Sequence, residues 1–376
     1  MQRIPITPRA DFAARAQELG FAFHTIDGKP YWNESAAYRF TAAEVDTLED
    51  ATTELERICL AAVEEVITQG YYDRFGIGPE GAKLIDASWQ RGDKNLYGRF
   101  DLLYRPGEPP RMLEYNADTP TALFEASVVQ WEWLQALYPK ADQFNSIHEK
   151  LIQAWTHFQL AAPRVHFTCV RDHEEDRGTT DYLRDTAIQA GIDTKFLFID
   201  EIGWDGAIFR DLEEEPIRAL FKLYPWEWLL REPFAANIAP SRVQMIEPAW
   251  KMILSNKAIL ALLWHLYPDH PNLLPAALTR DEIQGAVVKK PLLGREGANI
   301  VILKDGQPDR PSAASDGPYG AEGFVYQAYL PPPVFDGRYP VLGSWVIASE
   351  PAGIGIREDA NPITSNLSQF VPHLFE

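Results

Sequence analysis

Apolar and polar residues alternate along two neighbouring stretches of this chain, and the alternation has the period of a β-strand. In "YGRFDLLY", residues 97 to 104, Phe100, Leu102 and Tyr104 fall on one side, with Arg99 and Asp101 on the other. In "RMLEYNA", residues 111 to 117, Leu113 and Tyr115 share a side opposite Glu114 and Asn116. The Pro/Gly-rich stretch from Arg105 to Pro110 lies between them, so the pattern predicts a β-hairpin. Matching the apolar sides places Phe100 across from Tyr115 and Leu102 across from Leu113, since a one-residue slip would mix the faces. The same register sets Asp101 directly across from Glu114 and Arg99 across from Asn116. Like charges opposite one another destabilise a sheet. The arrangement therefore invites a compensating cation, although a solvated polar face is the plainer alternative.

Helical periodicity appears elsewhere. Residues 41 to 70 open on a threonine cap and close on Gly70, with apolar residues at helical spacing. "TALFEASVVQWEWLQALY" reads as a second helix, preceded by a loop holding Asp118, Thr119 and Thr121. From 164 to 205 strand and helix alternate ("RVHFTCV", "DRGTTDYLRDTAIQAG", "DTKFLFIDEI"), which predicts a small parallel sheet. "NKAILALLWHLYP" reads as a buried amphipathic helix. Beyond Gln284 strands dominate, in "GAVVKKPLL", "NIVILKDG", "GFVYQAYL" and "PVLGSWVIASEPAGIGIRED". The fold class expected is α+β in the outer parts with an α/β insert.

Composition narrows the field. The 376 residues are 46% hydrophobic and 24% charged, an ordinary globular balance, with enough aromatic residues for a large core. The net charge of −19 argues against a nucleic-acid partner, whose phosphates would be repelled. It does not exclude a small phosphorylated ligand, because local basic groups or a metal can reverse the potential. Cys59 and Cys169 alone make neither a disulfide framework nor a zinc site. The first residues, "MQRIPITPRADFAARAQ", lack the apolar core of a signal peptide, and no apolar run approaches the ~20 residues of a membrane span. A cytoplasmic protein without a membrane partner is expected.

Three motifs carry candidate chemistry. Asp101, Glu114 and Asn116 form a hard oxygen donor set suited to Mg²⁺, with Arg99 alongside to meet a phosphoryl group. "VVKKPLLGREGANIVIL" runs a strand ending in Lys290 into Gly294, Arg295 and Gly297, and such a loop can lay backbone N–H groups over phosphates. It fits neither the Walker nor the Rossmann pattern. "PAGIGIREDANPITSN" suggests a strand packed closely on other backbone or a ligand, with Arg357 emerging at its end. Lys257 begins an otherwise apolar helix, where it either snorkels or reaches an anion. Together these parts suit a nucleoside triphosphate.

At this point the chain resembles the glutathionylspermidine synthase-like family of ATP-grasp enzymes, and within it the short acid–amine ligases. The likeness runs through "PYWNESAAY", "YGRFDLLY", "MLEYNADTPTALFEAS", "LFKLYPWEWLLRE", "EPAWKMILSNKAIL", "VVKKPLLGREGANI" and "GIGIREDANPITSN". It implies a permuted, glutathione-synthetase-like ATP-grasp fold with an inserted small parallel-sheet pre-ATP-grasp subdomain. One synthetase unit over 1–376 is expected, divided near 1–160, 161–245, 246–335 and 336–376. The resemblance further implies that Asp101, Glu114 and Asn116 bind Mg²⁺ and that Arg99 and Arg357 are catalytic, stabilising the transferring phosphoryl group. Lys257 and Lys290 would hold the ATP phosphates, Gly294, Arg295 and Gly297 would close over them, and Gln327 and Leu330 would line the adenine side. Thr119 and Thr121, and by looser alignment Glu175 and Asp176, match substrate positions. The cysteine amidase domain of bifunctional relatives is not expected here. "FKLYPWEW" sets Leu223 and Tyr224 where a polar contact to a peptide substrate would be expected. The implied activity is ATP-dependent joining of a small acid, such as a peptide, to an amine. A nucleotide- or peptide-binding homologue without turnover and a Mg²⁺-dependent ATP hydrolase are the alternatives.

Overall fold

The computed structural model describes residues 1–26, 28–295, 297–304 and 311–376. The fold is mixed α/β, built on three sheets that meet around one cavity. Its centre is a five-stranded antiparallel sheet. In spatial order the strands are Gln369–Val371, Glu350–Asp359, Tyr339–Ile347, Tyr97–Leu103 and Arg111–Asn116. The two faces have different tasks, as the period-2 pattern requires. Phe100, Leu102, Ile354 and Ile356 face the long helix Ala42–Gln69, whose Leu48, Leu55 and Ile58 join them in one core. That helix starts where the sequence says it should: Thr41 and Glu44 form a reciprocal capping box, and Gly70 ends it in the left-handed conformation.

The opposite face is cut back with glycine. A Cβ on Gly343 would lie 2.7 Å from the Arg99 side chain, so its absence lets Arg99 lie across the sheet. Gly353 similarly admits the backbone of Phe144 and Asn145, the close packing expected of "GIGI". A four-stranded parallel sheet covers one flank, in the order Gln244–Ile246, Ala219–Leu223, Arg164–Cys169 and Asp193–Phe198, with helix Glu174–Gln189 as a crossover. On the other flank lies a second antiparallel sheet, in the order Ala276–Ala277, Phe324–Ala328, Val287–Pro291, Val301–Leu303 and Pro311–Ala314. The end of the expected strand "NIVILKDG", at 305 and 306, lies outside the described residues, as does Glu296 of the glycine-rich loop.

Two local expectations need correction. Leu102 pairs with Met112, not Leu113, because a bulge interrupts the hairpin between Asp101 and Leu102. Met112 is buried in the core in Leu113's stead, and Leu113 turns to the cavity. The helix expected over 121–138 contains a π-helical turn, Glu125–Val129, before its α-helical part Gln130–Leu137.

Candidate functional site

The polar face of the hairpin, the strands of the second antiparallel sheet and the carboxyl ends of the parallel strands enclose a cavity of about 560 Å³. That is an ordinary size for a ligand site, and the ends of parallel strands are the usual place for one. Every site residue expected from the sequence lines this cavity except Lys257, which stands beside it and reaches it through Glu114. Leu223 and Tyr224 do not line it.

The hairpin register brings Asp101 opposite Glu114 and Arg99 opposite Asn116, as the alternation required. Asn116 donates to Glu114 Oε1 at 3.2 Å, and Lys257 meets Glu114 Oε2 at 3.1 Å. Burial opposes the charge on Glu114, yet Lys257 and Lys290 outweigh it and hold the carboxyl down at about 2. Asp101 behaves oppositely. Burial pushes its carboxyl up and Glu114 adds to the shift, while Arg99 pulls against both. Arg99 donates to Asp101 through Nε at 2.7 Å and Nη2 at 3.2 Å, and its Nη1 meets the Thr121 carbonyl at 2.7 Å. Two half-buried carboxylates and a neighbouring amide oxygen are hard donors of the kind that a small divalent cation takes.

The second antiparallel sheet contributes the second part. Lys290, buried on strand Val287–Pro291, donates to the Leu113 carbonyl and to Gln327 Oε1, both at 2.8 Å, and Gln327 donates to the Met112 carbonyl at 3.0 Å. The hairpin bulge supplies those two carbonyls. Burial draws the Lys290 ammonium down to about 8, against the attraction of Glu114. Lys257 sits in the break between helices Lys251–Ser255 and Ile259–Leu266, where it donates to the Gly294 carbonyl at 2.9 Å. Gly297 has φ +70°, and a Cβ there would stand 2.1 Å from the Thr364 carbonyl. The glycine-rich loop thus rests directly on the loop 362–366. Arg357 belongs to that same corner: Nη2 donates to the Ser365 carbonyl at 2.5 Å, while its buried Nε has no acceptor among the described residues.

The third part is the end toward the parallel sheet. Thr119 accepts a hydrogen bond from Arg295, whose guanidinium stands 5.3 Å from the ring centre of Trp228. Glu175 and Asp176 begin helix Glu174–Gln189 and line the cavity wall. Glu227 and Trp228 line it as well, and neither was expected from the sequence. Burial and nearby Asp118 push the Glu227 carboxyl up. The alternation of strand and helix could place this end of the cavity, but nothing in "FKLYPWEW" read alone marks Glu227 for it.

Behind this end, Glu125 is fully buried on the π-helical turn. Tyr31 donates to its Oε1 at 2.8 Å, and Oε2 has no partner among the described residues. Burial, then the charge of Glu175, raise its carboxyl to about 8. A carboxyl raised in the folded state holds its proton where the unfolded chain has released it, between its ordinary pKa near 4.5 and about 8. Its contribution to stability is therefore complete below pH 4.5 and lost as pH rises through about 8. Urea unfolding should show wild type losing on the order of 4 kcal/mol between pH 5 and 9 from this group, and Glu125→Gln should flatten that part of the profile. An unchanged profile in the variant would show that Glu125 ionises normally.

The chain is similar to known proteins over its whole length. The family described as glutathionylspermidine synthase preATP-grasp matches residues 3–376. A Haemophilus influenzae protein named "Putative acid–amine ligase" is 43% identical over 395 residues, covering 100% of both chains. Trypanothione synthetase of Crithidia fasciculata is 30% identical over 351 residues, covering 85% of this chain and 53% of that one. The bifunctional glutathionylspermidine synthetase/amidase of Escherichia coli is 28% identical over 367 residues, covering 89% and 58%. The chain spans little more than half the length of these last two.

Proposed function

Because the chain belongs to the glutathionylspermidine synthase preATP-grasp family, we propose that it is an ATP-dependent ligase joining the carboxylate of a small acid to an amine, built as a permuted ATP-grasp synthetase and acting in the cytoplasm. One observation carries the reading. The paired acids Asp101 and Glu114, the cations Lys290, Arg99 and Arg357, and the glycine-rich loop converge on a single cavity from two sheets, with Lys257 beside it on Glu114. On this reading the segment 246–335 is the lid, 161–245 carries the substrate side, and 1–160 and 336–376 supply the central sheet.

Asp101, Glu114 and Asn116 would hold Mg²⁺, and the half-buried like-charge pairing of the two acids fits a divalent cation. The ion supplies neutralisation of phosphate charge. Lys257 and Lys290 bind the nucleotide phosphates, with Gln327 and Leu330 beside the base. The glycine-rich loop excludes water above them. A carboxylate oxygen of the acid attacks the γ-phosphorus as the bond to the β-phosphate oxygen breaks, releasing ADP and leaving an acyl phosphate. Arg99 and Arg357 offset the charge on the equatorial oxygens during that step, which is most of what a protein contributes to phosphoryl transfer. The amine then attacks the acyl carbon, inorganic phosphate leaves, and the nitrogen gives up a proton to yield an amide. Thr119, Thr121, Glu175 and Asp176 face the acid and amine. No side chain is needed as a covalent nucleophile, in keeping with two cysteines that are both buried.

The test is ADP release from Mg–ATP against small peptides and other carboxylic acids crossed with polyamines and amino acids. Release that requires one acid and one amine together, with loss of Mg²⁺ dependence in Asp101→Ala, is the expected result. Release from ATP alone would make the protein a hydrolase, and tight ATP binding without release on any pair would make it a binding homologue.

A further inference from the structure

The loop that carries Thr119 and Thr121 is held from behind by an ion pair that phosphoryl transfer does not use. Lys222 lies within the apolar strand Ala219–Leu223 and is fully buried. Its ammonium meets Asp118 Oδ1 at 2.7 Å and the Tyr224 carbonyl at 2.9 Å, and it stands 4.6 Å from the ring centre of Trp226. The second oxygen of Asp118 accepts the Trp226 N–H at 2.8 Å, and Asp118 is only 3% exposed. Burial depresses the Lys222 ammonium, opposed by Asp118.

Taking such a pair out of water costs several kcal/mol, and apolar replacements of similar shape are often as stable. Core packing therefore gives no reason to set a lysine in this strand. Its position does. Asp118 stands two residues after Asn116 and directly before Thr119, so it lies between the candidate metal ligands and the candidate acid site. Arg99 grips the same loop from the phosphoryl side through the Thr121 carbonyl. Lys222 grips it from the parallel sheet. We infer that the Asp118–Lys222 pair is a positioning device: it fixes the 118–121 loop between the two sheets so that Thr119 and Thr121 present to the acid in register with the γ-phosphate. The nature of that substrate rests on the ligase reading, whereas the hold on the loop does not.

Lys222→Met removes the grip while keeping the length of the side chain. Amide hydrogen exchange should rise at 117–122 and stay unchanged along 287–291. Mg–ATP should bind within about twofold of wild type, because Lys257 and Lys290 bond Gly294, Leu113 and Gln327 and not the 118–121 loop. With the best acid–amine pair of the panel above, KM for the acid should rise about tenfold or more, while KM for ATP is unchanged. Should Lys222→Met fail to fold, Asp118→Asn with Lys222→Met leaves no buried charge unpaired and carries the same readouts. Unaltered exchange at 117–122, or KM for ATP rising in step with that for the acid, would overturn the inference. If wild type releases no ADP on any pair, it is the ligase reading that fails, and the exchange pattern alone decides the role of the pair.

Discussion

Arg357→Ala is expected to slow acid- and amine-dependent ADP release by about a thousandfold while Mg–ATP binding changes only a few-fold. The size follows from what a guanidinium does for a transferring phosphoryl group, since arginines in that role are worth about 10³ or more in rate. The selectivity follows from position. Arg357 comes from the central sheet, with strand Tyr339–Ile347 between it and the hairpin, whereas Lys290 and Gln327 belong to the other antiparallel sheet. Its hydrogen bond to the Ser365 carbonyl uses one nitrogen, and the buried Nε is left for another acceptor. Arg357→Lys should recover little of the loss, because an ammonium lacks the planar fork. Equal losses in nucleotide binding and turnover would show instead that Arg357 merely helps to hold ATP.

Gly297→Ala should lower turnover by about a hundredfold, for a reason that is purely steric. The residue has φ +70°, which an L side chain adopts at a cost, and the added methyl would stand 2.1 Å from the Thr364 carbonyl. The glycine-rich loop would have to lift off the loop 362–366, opening the cavity to water at the place where phosphoryl transfer is proposed. Gly294→Ala is the control. Its φ is not in the left-handed region, and its nearest neighbour is the Pro291 ring at 2.9 Å, so a loss below about tenfold is expected. Steady-state rates of the two variants with the same acid and amine decide the matter. Indistinguishable rates would mean that closure of this loop does not limit the reaction.

The sequence made the hairpin legible because strand periodicity has little tolerance. Once Phe100 and Tyr115 share a face, Asp101 and Glu114 must meet. The bulge after Asp101 escaped, since an inserted residue keeps the apolar count and leaves Met112 and Leu113 equally plausible in the core. The threonine cap at Thr41 was readable for the opposite reason, being wholly local, and the structure adds Glu44 as its reciprocal partner. Gly294, Arg295 and Gly297 announced a loop, but not its landing place on Thr364, which depends on a strand more than 50 residues away in sequence. Lys222 was the missed signal. A lysine in "ALFKL" breaks an apolar run, and a charge inside a parallel strand needs a partner. The edge strand Pro311–Ala314, fifth in the second antiparallel sheet, has no strand pattern strong enough to be found alone.

The order of strands in the central sheet bears on how the chain is made. The hairpin Tyr97–Asn116 pairs with Tyr339–Ile347, so the ribosome must add about 220 residues before its partner strand exists. At the usual elongation speeds of about 5–20 residues per second, the hairpin's edge waits roughly 10 to 40 s during synthesis. Throughout that interval the parallel sheet and the lid, both encoded in between, can complete their own local pairing first. The central sheet, and the site with it, therefore closes late, when strands Tyr339–Ile347 and Glu350–Asp359 join the hairpin.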